Sequence, residues 1–182
     1  MSGPALHYRV AEHGKVRALA GDHAEALRHY REALRLASAQ GEAEACLRHY
    51  AWCVLESLER TDAHDAVIAF CERVEAHYAQ KPPEGELARK DLAAHLERHG
   101  LALAKQGRSA EARERLESAV KLAGAGHLPV AERVLSWVRA GLHVDARRVS
   151  LEQDRHPYWT VRPDAVRPDI AVALPSFVTT PG

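Results

Sequence analysis

An ungapped internal repeat runs through this chain. His13-Gly14 recurs as His99-Gly100, Ala18 as Ala104, and Gly21 as Gly107. Ala24-Glu25-Ala26 recurs as Ala110-Glu111-Ala112, Ala33 as Ala119, and Leu36-Ala37 as Leu122-Ala123. All share one offset (107 − 21 = 86). Within each copy the apolar and small residues fall at helical spacing, as at Leu27, Tyr30, Leu34 and Ala37. The repeated unit therefore reads as two antiparallel helices. Gly21 ends the first, and Asp22 caps the second, with Glu25 placed to complete a capping box. Gly14 and Ala26 let the helices approach closely, and Tyr30 fills the space beside them.

The same reading extends along the chain as an all-α fold. Helices are expected over residues 5–20, 23–38, 42–60, 63–80, 86–106 and 110–123. Another starts at Pro129, a residue suited to a first helical turn, and a last one covers residues 143–154. In the second pair, Ala66 and Phe70 are expected to repeat Ala26 and Tyr30, with Arg73 at the place of Ala33 and Thr61-Asp62 as turn and cap. Lys81-Pro82-Pro83-Glu84-Gly85 breaks the chain, because consecutive prolines cannot sit inside a helix. From His156 onward, Pro157, Pro163, Pro168, Pro175 and Pro181 exclude a continuous helix, and Val161-Arg-Pro-Asp164 is echoed by Val166-Arg-Pro-Asp169. The division expected is a helical repeat domain over 5–155 and an extended tail over 156–182. Ile170, Val172, Leu174, Phe177 and Val178 make that tail too apolar for an ordinary linker. Tyr158, Trp159 and Phe177 are its docking candidates.

Gly14, Ala26, Tyr30 and Ala33 together resemble the signature of tetratricopeptide repeats, whose unit is about 34 residues long. Val10, Arg17 and Ser38 stand where that signature has Trp, Tyr and Pro. The resemblance implies a right-handed solenoid of helical hairpins whose first helices line a concave groove. By register the groove candidates are Tyr8, Ala11, Lys15 and Leu19, then Arg48, Ala51, Trp52 and Leu55, then Ala94, Glu97, Arg98 and Leu101. Some members of the family clamp a carboxylate with paired lysines and asparagines. Here Ala11, Trp52 and Ala94 occupy those places and Arg98 alone matches. The ligand implied is thus an apolar or mixed segment of another protein, held by a non-catalytic adaptor or scaffold.

Composition narrows the partners. Acidic and basic residues balance to a formal net charge of zero, which gives no basic excess for nucleic acid and no attraction to an anionic membrane. No apolar run reaches the roughly 18 residues of a membrane span, and the N-terminus lacks a signal-peptide pattern, so a cytoplasmic protein is expected. Cys46, Cys53 and Cys71 form no CxxC pair and read as reduced thiols. No nucleophile elbow, phosphate loop or cofactor motif is present, so no enzyme activity and no cofactor are expected. Two alternatives remain: a structural subunit that forms a homo-oligomer through its tail, and a metal-binding protein using His95 and His99, which share a helix face.

Overall fold

A computed structural model describes residues 3–176. Among them the chain is all-helical, with eight α-helices, two 3₁₀ turns and no strand. The helices are α1 (Leu6–Leu19), α2 (His23–Ala39), α3 (Glu44–Arg60), α4 (His64–Gln80), α5 (Gly85–Lys105), α6 (Ser109–Ala123), α7 (Pro129–Arg139) and α8 (Ala146–Arg155). The 3₁₀ turns are Pro163–Ala165 and Pro168–Ile170. No helix among the described residues is long and apolar enough to cross a membrane.

The chain divides into two compact units. The first joins the chain up to Thr61 with the segment from Thr160 onward, and the second is Asp62–Trp159.

In the first unit α1 packs on α2 and α2 on α3. Val10, Ala11, Ala33, Ala37 and Tyr50 form one apolar cluster. Ala26, Tyr30, Cys53 and Val54 form another. The α1–α2 crossing is tight at Gly14: a Cβ there would lie 2.7 Å from Tyr30 Cε1. The turn between the two helices is closed by main-chain bonds. Gly21, at φ +82°, donates to Ala18 O, and Asp22 N–H reaches back to Arg17 O. Asp22 then caps α2 by accepting from Glu25 N–H at 3.2 Å. The capping box is only half made, because the Glu25 carboxylate turns to Arg28 instead.

In the second unit α5 is the central helix, touching α4, α6, α7 and α8. Every residue from His95 to Ala104 on it is buried. The α5–α6 crossing repeats the α1–α2 device: a Cβ on Gly100 would lie 2.6 Å from Leu116 Cγ. Ala112 and Ala119 are buried there as Ala26 and Ala33 are in the first unit.

The register of α4 differs from the sequence expectation by one residue. Ala66 is exposed and Val67 is fully buried. Cys71 is likewise fully buried, whereas Phe70 is half-buried. The physical reason lies in the preceding turn. Asp62 adopts φ 55° and does there what Gly21 does before α2, so the offset is 41 (62 − 21) rather than 40. Asp62 is thus the left-handed turn residue and not a cap. Ala63 holds the cap position and provides no side-chain bond.

Candidate partner-binding surfaces

In the first unit, residues 160–175 lie along α1, α2 and α3 and are held mainly through their own main chain. Glu56, 3% exposed on α3, accepts N–H bonds from Thr160 and, at 2.9 Å, from Val161. Glu12, 1% exposed on α1, accepts from Arg167 N–H with one oxygen and from Lys15 Nζ at 2.7 Å with the other. The carbonyl of Arg9 accepts from Val172 N–H at 3.0 Å, and Arg9 Nε donates to Ile170 O at 3.3 Å. His29 Nε2 accepts from Leu174 N–H at 3.0 Å. Its Nδ1 must then carry the proton, and it donates to Glu25 O at 2.8 Å. Arg28 donates to Pro175 O at 3.1 Å.

Two aliphatic side chains anchor the same segment. Val161 packs on the Tyr30–Cys53 cluster and Leu174 on the Val10–Tyr50 cluster. Between them the repeated Val-Arg-Pro-Asp motif makes the two 3₁₀ turns. In each turn the arginine pairs with its own aspartate, Arg162 with Asp164 at 3.1 Å and Arg167 with Asp169 at 2.7 Å. The motif satisfies its own charges and leaves its amides for the helices.

Of the groove candidates in this unit, Lys15 is buried against Glu12 and Leu55 is fully buried. Tyr8, Arg48 and Trp52 are half-buried. Arg48 pairs with Glu44 at 2.7 Å. A cleft of about 290 Å³ opens beside Val161, lined by His23, Glu56, Ser57 and Arg60. Burial lowers the pKa of His23 there, and Arg60 adds to the effect. Burial also pushes the Cys53 thiol up to about 12, so that thiol is inert and acts as packing.

The remaining candidates lie in the second unit. Glu97 accepts from Ala131 N–H at 3.0 Å, capping the first turn of α7. Arg98 donates to Tyr158 O at 3.2 Å, with its guanidinium 4.2 Å from the Tyr158 ring centre and 5.9 Å from that of Trp159. Trp159 Nε1 donates to Asp154 at 2.9 Å. Leu101 is 1% exposed and belongs to the core. Phe177 lies outside the described residues. Six of the twelve groove candidates are therefore buried: Ala11, Lys15, Leu55, Glu97, Arg98 and Leu101.

The two histidines considered for metal are engaged by different partners. His95 Nδ1 bonds Asp91 O at 2.8 Å, and its ring stacks on Phe70 with centroids 6.0 Å apart. His99 Nδ1 bonds Glu75 at 2.5 Å. Among the described residues no group of three or more His, Cys, Asp or Glu is arranged to hold a metal ion.

Sequence reasoning passed over Glu12, Glu56, Arg9 and His29. A signal existed for the two carboxylates: both fall among inward-facing positions, Glu12 beside Ala11 and Glu56 between Leu55 and Ser57. A charge on an apolar face requires a partner, and here the partner is the main chain of the segment from Thr160 onward. Comparison with known protein families, with curated proteins and with solved structures gives no match in any of the three.

Proposed function

We propose that this chain is a non-catalytic interaction module, a tetratricopeptide-like array of helical hairpins with an extended C-terminal tail, that holds an extended segment of another protein. One observation carries the reading. The α1–α3 face grips residues 160–175 through main-chain amides and two aliphatic anchors, the means by which a groove takes an extended peptide. Unbridged Cys46, Cys53 and Cys71 fit a reducing compartment, and we assign the module to the cytoplasm.

Random-peptide display tests this. The bait is the full-length chain with Val161→Asp and Leu174→Asp, which remove the two anchors while leaving the helices unchanged in sequence. Binders should be enriched, and their capture should fall when Tyr8, Arg48 or Trp52 is changed to Ala. Enrichment of no sequence, by a bait whose helical circular dichroism matches the parent chain, removes the reading.

A further inference from the structure

We propose that the segment Thr160–Leu174 is an internal stand-in for the partner, so that the ligand of the first unit is an extended segment recognised by its backbone amides and carrying a tail-like tandem of Val-Arg-Pro-Asp turns. This deepens the interaction-module reading and rests on it.

Glu12 and Glu56 are almost wholly buried, and a buried carboxylate needs donors. Glu12 has Lys15 for one oxygen, and its other oxygen takes the Arg167 amide. Both oxygens of Glu56 take tail amides, from Thr160 and Val161. Without the segment, Glu12 loses its Arg167 donor and Glu56 its two tail donors. The face reads the main chain, and its selectivity comes from spacing. One donor pair must meet Glu56, one donor must meet Glu12, and an aliphatic side chain must enter the Tyr30–Cys53 cluster.

Charge argues for the same partner class. Free arginines or aspartates facing these helices would compete for Glu12, Lys15 and Glu56. In both Val-Arg-Pro-Asp turns the arginine and aspartate neutralise each other, so the segment arrives with no net charge at either turn. The prolines fix φ near −65° and start the 3₁₀ turns, which presents the next donor at low entropic cost. A partner with the same two turns keeps every contact, and it must first displace the resident segment. Tethering gives the resident an effective concentration on the order of mM, so the parent chain binds such a partner weakly until the tail is released.

The test uses the full-length chain and a labelled synthetic peptide of residues 159–175, read by fluorescence anisotropy. The chain carrying Val161→Asp and Leu174→Asp should bind this peptide about tenfold or more tighter than the parent chain does, because its own tail no longer competes. Adding Glu56→Gln should abolish that gain, since an amide offers one acceptor where two N–H groups point. A peptide N-methylated at Val161 and Arg167 keeps every side chain and loses two donors, and it should not bind.

Three outcomes overturn the proposal: equal affinity for parent and variant, equal affinity for the N-methylated peptide, or no binding by a variant of unchanged helical spectrum. A doubled mass of the parent chain in solution that Glu56→Gln abolishes also overturns it, because the occupant is then a second copy. If the double variant loses its helical spectrum, the single variant Glu56→Gln decides. Amide exchange at Thr160 and Val161 should then speed up while α2 amides stay protected, and unchanged exchange overturns the proposal. Display binders that do not compete with the tail peptide would sink this inference and leave the module reading standing, whereas binding of neither library nor tail peptide would sink both.

Discussion

Two kinds of glycine hold this chain in shape, and they fail differently. Gly14 and Gly100 lie inside helices where a Cβ would meet Tyr30 or Leu116 at 2.7 and 2.6 Å. Gly14→Ala and Gly100→Ala should each cost about 1–3 kcal/mol by overpacking, read as a lower urea midpoint. Gly21 has open space around its missing Cβ, yet its φ is +82°. Gly21→Ala should cost roughly 1–2 kcal/mol through backbone strain alone. A shift as small for Gly14→Ala as for Gly3→Ala, where nothing lies within 4 Å, would contradict the close crossing. Glu56→Gln belongs to this scale as well. It leaves a buried tail amide without a partner, and it should lower stability by about 1–3 kcal/mol in the same denaturation series.

At the scale of elements, the helices were legible because their ends are chemically marked. Gly21, Gly107, the Pro82-Pro83 pair and Pro129 bracket segments whose boundaries fall within a residue or two of expectation. The α4 register was not legible, since Asp62, expected with Thr61 as turn and cap, took the left-handed conformation that Gly21 takes before α2. The all-α class followed from the internal repeat, its helical periodicity and these breaks. The surface that the tail meets did not follow, because Glu12 and Glu56, though among inward-facing positions, do not by themselves name the chain from Thr160 onward as their donor. Element packing also sets a pH response. Burial, the largest cause in each case, lowers the pKa of His13 and His49 in the first unit and of His64 in the second from the usual 6.5. A lowered folded value means that the unfolded chain protonates first. Stability should therefore hold above pH 6.5 and decline as pH falls below it toward the folded values. Thermal melts across that range check this, and a Tm that rises on acidification would contradict it.

At the scale of the whole molecule, residues 160–175 belong physically to helices more than a hundred positions earlier in sequence. Loosening them should register far from the substitution. In the chain carrying Val161→Asp and Leu174→Asp, amide exchange should accelerate in α1 and α3, and protease cleavage should appear between Thr160 and Ser176. Unchanged protection of α1 would mean that the segment adds nothing to the first unit.

The amide grip also decides which changes this segment can absorb over time. Thr160, Val161, Arg167, Val172 and Leu174 each supply a donor, and none is proline, whereas Pro163, Pro168 and Pro175 fall where no helix asks for one. Side chains at Arg162, Asp164 or Asp169 are free to drift as long as each turn stays neutral. A single imino acid at Val161 or Arg167, mild by any hydrophobicity scale, would be the lesion the segment cannot tolerate.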